Sequence, residues 1–454
     1  MQMKSGRFTL IGLLMAGIFF WTAVWTVSAR AQEKTLSLQE GLKLATANSR
    51  LVRIALKQQD VARADTLIAR APMLPSVNGA AGQTFLAHQQ KAVFDGLTVP
   101  ESDKDFYSYS LHVQQVIWDF EGNASRYGAS EALLAASVYD TARIRNFAAL
   151  QFAFAYFDLL ESQKMVFVAG DEVTRLDAHL KDATNLYNQG VITKNDLLQA
   201  QVRLSDASQR LVSAKNAMDV MAARINNLLA RPLDTLFKPV DVPAQKVFYS
   251  GGSLEQASLK QAALVRAWQT AQAKRPEIAI VNETMRSLDL DKKAVRSDYY
   301  PKFFAQGGYD YTKNPFLTPN GNFSLVIGMG INLYGGGITK AEIDRIDSQR
   351  AKLLEQKEKL ISDIELEVQT YSLDLEDALK RLDATKDSVS QATENLRINR
   401  VRYQEGEGTA TDVLDALTLL TVAETDNYRA QYDFRKAEAG FLYSQGNDLS
   451  EVYK

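Results

Sequence analysis

An α+β membrane protein is expected. Four short β-strands per chain would combine in a trimeric 12-stranded barrel continued by a long α-helical barrel, each chain being an internal tandem repeat. Three observations lead there. Short motifs recur at a nearly constant offset, segments of about ten residues alternate apolar and polar side chains, and long stretches lack both Gly and Pro.

The chain begins with Lys4 and Arg7, an apolar run from Phe8 to about Val27, and Ala29-Arg30-Ala31. That is the three-part pattern of a secretory signal with small residues at the positions a signal peptidase reads, so residues 1–31 are predicted to be removed, with Ala29 and Ala31 marking the cut. The mature chain would hold 423 residues, with 49 basic and 54 acidic side chains. An uncleaved N-terminal anchor is the alternative reading of the same run. No later stretch has the roughly 20 apolar residues of a membrane helix, so any further crossing must use strands.

The repeat covers most of the mature chain. Leu186-Tyr187-Asn188-Gln189-Gly190 leads into Asp196-Leu197-Leu198-Gln199-Ala200, and Arg402-Tyr403-Gln404-Glu405-Gly406 into Asp412-Val413-Leu414-Asp415-Ala416; Tyr187 and Tyr403 lie 216 positions apart. Ile117-Trp118-Asp119-Phe120-Glu121-Gly122 answers Asn332-Leu333-Tyr334-Gly335-Gly336-Gly337 at an offset of 215. A third pair, Leu74-Pro75 and Tyr300-Pro301, is offset by 226, which makes the first copy longer by 11 residues. The extra length is placed in a loop near Leu97 to Asp105, where insertions are tolerated. The predicted boundaries are 32–235 for the first repeat, 236–275 for an irregular linker with a short helix around 254–274, 276–446 for the second repeat, and 447–454 for a tail.

Within each repeat a helix precedes a hairpin, at about 76–118 and about 302–334. Tyr107, Tyr109, Leu111 and Val113 alternate with Ser108, Ser110, His112 and Gln114; Phe323, Leu325, Ile327 and Met329 alternate with Ser324, Val326, Gly328 and Gly330. A period of two with one apolar face marks strands long enough to cross a bilayer when tilted. The pattern alone also fits a hairpin packed on a soluble core. After each hairpin comes a long helix pair, about 123–230 and 338–445. No Gly or Pro occurs from Ile338 to Glu405, and Ile364, Val368, Tyr371, Leu375, Leu379, Leu382, Val389 and Leu396 form a coiled-coil-like seam. Leu366 and Leu373 start a second stripe, which calls for neighbours on two sides. Asn195 and Thr411 are placed as N-caps of the return helices.

Closure joins these features. A lipid-crossing sheet cannot leave open edges in hydrocarbon, and four strands are too few to close around a lumen. Three chains supply twelve.

Composition narrows the function. With 52 basic and 54 acidic side chains there is no basic excess for nucleic acid, and the absence of Cys removes disulfides, thiolate metal sites, Cys nucleophiles and a lipidated N-terminal Cys. His88, His112 and His179 lack metal-ligand spacing, and Gly335-Gly336-Gly337 is followed by no Lys-Ser/Thr, so no enzyme and no cofactor are expected.

The sequence resembles the TolC family of outer-membrane efflux ducts. Leu36-Ser37-Leu38-Gln39-Glu40-Gly41-Leu42, Leu74-Pro75-Ser76, Tyr299-Tyr300-Pro301, Leu333-Tyr334-Gly335-Gly336-Gly337 and the two Tyr-x-x-Gly segments carry the resemblance by their order and duplication. It implies a homotrimer in the outer membrane of a Gram-negative-type cell, with its helical barrel in the periplasm. The duct would be the exit of a tripartite efflux pump or of type I secretion, fed by an inner-membrane transporter of RND, ABC or MFS type through a periplasmic adaptor. By motif alignment, Gln189, Gly190, Val191, Glu405, Gly406 and Glu407 are the adaptor-docking tip turns. Asp412 and Asp415 would form acidic rings at the periplasmic entrance, able to hold a blocking cation, and Asp196 with Tyr403 the tip latch. Gly408 stands where the family commonly has an Arg, which leaves the charged half of that latch missing, with Lys194 a candidate substitute. The competing reading is a periplasmic coiled-coil adaptor or structural protein held by an uncleaved N-terminus; a soluble helical hydrolase has no site to support it.

Overall fold

A computed structural model describes residues 34–242, 257–316 and 318–453. The expected signal segment, with Ala29 and Ala31, and the middle of the linker lie outside the described residues.

The chain opens with strand β1 (Lys34–Leu36) and helices α1 (Leu38–Asn48) and α2 (Arg50–Arg70). Ser37 and Ser49 cap these helices through hydrogen bonds accepted from Glu40 N and Val52 N. Strands β2 (Ser76–Phe85) and β5 (Asp105–Trp118) follow, with β3 (Lys91–Phe94) and β4 (Leu97–Pro100) between them. Where a plain loop was expected, the added residues form the β3–β4 hairpin. Asp95 and Gly96 turn it with φ of 46° and 83°, the two left-handed residues that a type I′ turn requires.

Helix α3 (Gly122–Asn188) has 67 residues and runs straight through Gly128 and Gly170. At 1.5 Å per residue it is about 100 Å long. Helix α4 (Lys194–Leu228) returns along it. Strand β6 (Phe237–Pro239) then pairs in parallel with β1, so the expected irregular linker is partly ordered. Helix α5 (Ala257–Lys274) packs Ala267 and Ala271 on Ile364 and Val368. Helix α6 (Pro276–Arg296) leads to strands β7 (Lys302–Thr312) and β8 (Gly321–Gly330). Strand β8 stops short of the expected 334, because the chain turns into the next helix with Gly336 and Gly337 at φ of 65° and 84°. Helix α7 (Ile338–Gln404) again has 67 residues, α8 (Ala410–Ser444) has 35, as α4 does, and α9 (Leu449–Val452) closes the chain. No described helix is long and apolar enough to cross a membrane.

The four long strands make one antiparallel sheet in the order β2-β5-β7-β8. Its register puts Val77, Tyr109, Leu111, Val113, Tyr309, Tyr311, Phe323, Leu325 and Ile327 on one face. Asn78, Ser108, Ser110, His112, Gln306, Asp310 and Ser324 share the other. The apolar face carries stacked rings, with Tyr109 and Tyr311 centroids 4.6 Å apart, and leaves Leu325 and Ile327 three-quarters exposed.

The main core lies where α1, α3, α4, α8 and the β1–β6 pair meet. Phe152, Tyr156 and Phe157 are fully buried there with Leu42 and Ile225. Tyr156 Oη lies 2.8 Å from Leu36 O and 2.7 Å from Val240 O and accepts from Val240 N at 3.0 Å. This hydroxyl adds to the bond from Val240 N to Leu36 O at 3.1 Å, while the ring fills the core.

The helix-hairpin tips as the candidate functional site

Both long helices end in the same turn. Gly190 and Gly406 adopt φ of 76° and 79°, a region that costs other residues strain. Val191 N then donates to Leu186 O at 2.9 Å, and Glu407 N to Arg402 O at 2.8 Å, closing the helix ends. Gln189, Gly190, Val191, Glu405, Gly406 and Glu407 are all exposed at the two apices.

The return helices start at capping boxes, and their N-caps are Thr193 and Thr409 rather than the expected Asn195 and Thr411. Asp196 accepts from Thr193 N at 3.0 Å and from Thr193 Oγ1 at 2.8 Å, while Thr193 Oγ1 accepts from Asp196 N. Asp412 accepts from Thr409 N at 3.0 Å. These hydrogen bonds satisfy orphan helix donors and outweigh a lone side-chain cap two residues later. They also hold the Asp412 carboxyl below the usual carboxylate range, with Arg402 a lesser contributor. Asp412 and Asp415 are exposed, while Val413, Leu414 and Leu417 between and beyond them are buried.

Beneath the turns the hairpins pack on each other. Leu176 of α3, Ala207 of α4, Tyr403 of α7, and Ala410, Val413, Leu414 and Leu417 of α8 form one apolar cluster. Ion pairs flank it. Arg400 Nη2 lies 3.1 Å from Asp182 Oδ2, and Arg175 makes a bidentate contact with Glu424 at 2.7 and 3.0 Å.

The expected Asp196–Tyr403 contact is not a hydrogen bond here. Tyr403 is buried and its hydroxyl has no partner. Asp196 acts on it only through its charge: burial first, then Asp196 and Asp182, push the phenol above its ordinary value. At Gly408 a side chain would press on the end of α7, since a Cβ would stand 3.1 Å from Tyr403 N and 3.3 Å from Arg402 Cβ. Lys194 enters no ion pair among the described residues; the cations joining α3 to the second hairpin near the tip are Arg400 and Arg175. None of these pairings was signalled by the sequence, because the partners lie 218 and 249 residues apart. Among the described residues no group of three or more His, Asp or Glu could hold a metal ion.

A four-stranded sheet with one apolar and one polar face, two strands left as edges, and two levelled helical hairpins define an outer-membrane channel protein as a class. The family model for outer membrane efflux proteins matches residues 41–231 and 267–444, and the chain belongs to that family. It is 22% identical over 434 residues to the alkaline protease secretion protein AprF of Pseudomonas aeruginosa, covering 90% of this chain and 84% of that one. It is 23% identical over 408 residues to the pyoverdine export outer membrane protein OpmQ of the same organism, covering 86% and 79%. The fold matches the outer membrane protein VceC of Vibrio cholerae with a TM-score of 0.74 at 16% identity, over 90% of this chain and 96% of that one. The protein is thus an outer-membrane efflux channel, a passive exit duct rather than an enzyme, and the adaptor reading is set aside.

Proposed function

We propose that three chains share one 12-stranded barrel in the outer membrane and that their helical hairpins continue it as a tunnel across the periplasm. The sheet carries this reading. Among the described residues, edge strands β2 and β8 have no partner on their outer sides, and one face is apolar while the other is polar. Lipid tolerates the first face and a wet lumen the second, and only closure with neighbours satisfies the edges. The exposed Leu366 and Leu373 on α7, and Ile54, Leu67 and Ile68 on α2, supply apolar surface for neighbouring chains.

The duct receives its substrate from an inner-membrane transporter, of RND, ABC or MFS type, through an adaptor that docks on the two apical turns. Docking opens the tip by favouring the open state over the closed one. Asp412 and Asp415 form threefold acidic rings at the entrance that attract cations, and Asp196 with Tyr403 belongs to the tip closure. Two tandem repeats joined by the 236–275 segment place equivalent turns side by side. Fractionation with electrophoresis and bilayer recording tests the proposal. It requires an SDS-resistant trimer in the outer-membrane fraction that conducts ions; a monomer without conductance would remove it.

A further inference from the structure

Two polar atoms inside the tip are left without hydrogen bonds, on rings that lie side by side. His179 of α3 is 3% exposed and Tyr403 of α7 is 2% exposed. Their ring centroids are 5.3 Å apart, and neither His179 Nε2 nor Tyr403 Oη has a partner. Both atoms are already covered within one chain, so a neighbouring chain reaches them only if α7 moves away from α3.

No hydrogen bond joins His179 Nε2 to any of the groups around it. On its own helix, Asp182 faces it, and Oδ2 of that carboxylate accepts from Arg400 Nη2 and from Gln404 Nε2, each at 3.1 Å, both from α7, which ties it to α7 rather than to the imidazole. The cation Arg400 faces the ring as well. From α4, Asp196 turns its Oδ2 to the Thr193 cap, and Leu204 and Ala207 are apolar. From α8 come Ala410, Val413, Leu414 and Leu417. A neutral ring fits this seat and a protonated one does not.

We propose that His179 is a proton-sensitive gating residue: protonation of its imidazole loosens the α7–α8 hairpin from α3 and opens the duct entrance. The proposal rests on the reading of the tip as that entrance. Burial pushes the His179 imidazole below its ordinary value, Asp182 opposes this and Arg400 adds to it. In an open tip the ring is hydrated and titrates near about 6.5. The closed state therefore keeps its full stability above about pH 6.5 and loses it progressively as the pH falls below that value. With three chains moving together, the effect per chain is multiplied threefold in free energy.

The test is bilayer recording of the purified channel at about pH 7.5 and about pH 5. Wild type is expected to increase its open fraction about tenfold or more on acidification, and His179→Gln to lose that step while still conducting. Tyr403→Phe, which keeps the imidazole, should retain it. A pH-independent wild type, or a His179→Gln channel with the wild-type response, overturns the proposal. Absence of conductance at both pH values overturns the duct reading and this one with it. Because the chain has no Cys, spin labels at Gln189→Cys and Glu405→Cys provide a measurement that keeps His179. Their separation should widen at the lower pH, and an unchanged distance is equally fatal.

Discussion

Removing Glu424 tests whether the α3–α8 seam holds the second hairpin in place. Glu424 meets Arg175 through contacts of 2.7, 2.9 and 3.0 Å, with side chains 17% and 22% exposed. Breaking a fully buried pair costs about 3–5 kcal/mol, whereas an exposed pair contributes under about 1 kcal/mol. This pair lies between those limits, and Arg175 keeps Asp171 at 3.5 Å. Glu424→Ala should therefore cost about 1–2 kcal/mol per chain. In the proposed trimer that sums to about 3–6 kcal/mol, a shift of roughly 10² to 10⁴ in any equilibrium that separates the two helices. The assay is a double-mutant cycle with Arg175→Ala, read by thermal melting of the helical signal and by channel conductance. Coupling of about 1 kcal/mol between the two sites, with raised open probability in each single variant, is expected. Additive effects within about 0.3 kcal/mol, or single variants that conduct as wild type does, would refute the reasoning.

Three further outcomes are expected. Tyr156→Phe removes the hydroxyl's bonds at the β1–β6 pair, while Val240 N keeps its bond to Leu36 O, and should destabilise by about 0.5–1.5 kcal/mol, seen as a lower melting temperature; an unchanged melt would show that water takes the place of the hydroxyl. Leu325→Lys on the apolar face should cost about 2–4 kcal/mol if that position lies near the bilayer midplane, read as loss of trimer from the outer-membrane fraction, and normal assembly would mean that the face does not meet lipid. Asp412→Ala combined with Asp415→Ala should weaken multivalent-cation block of conductance. Comparison with Thr409→Ala, which loses the cap but keeps both charges, separates the ring from the helix start; block that survives the double substitution removes the ring.

How far each element could be read from the sequence depends on its physics. Alternation marks β5, β7 and β8, because a two-faced sheet imposes a period of two, and is weaker in β2, where Gly79, Ala80, Ala81 and Gly82 blur it. The seam from Ile364 to Leu396 is legible because α5 buries its start and α8 the rest. The two N-caps were misplaced although Thr193-x-x-Asp196 and Thr409-x-x-Asp412 spell the capping-box pattern. Asp95-Gly96 likewise announces a hairpin that the repeat arithmetic had assigned to a loop. The pairs Arg175–Glu424 and Arg400–Asp182, and the stranded His179 and Tyr403, left no local trace, since their partners meet only after the hairpins dock.

The two hairpins match residue for residue, 67 outward and 35 back in each. Adding one residue to a helix advances its far end by about 1.5 Å and swings every later side chain by about 100°. A lone insertion or deletion in either arm would therefore tilt the mouth and turn a buried stripe toward water. Tolerated length changes in these arms must come as matched sets in both hairpins, whereas a turn off the sheet, such as the one holding Asp95 and Gly96, is free to vary alone.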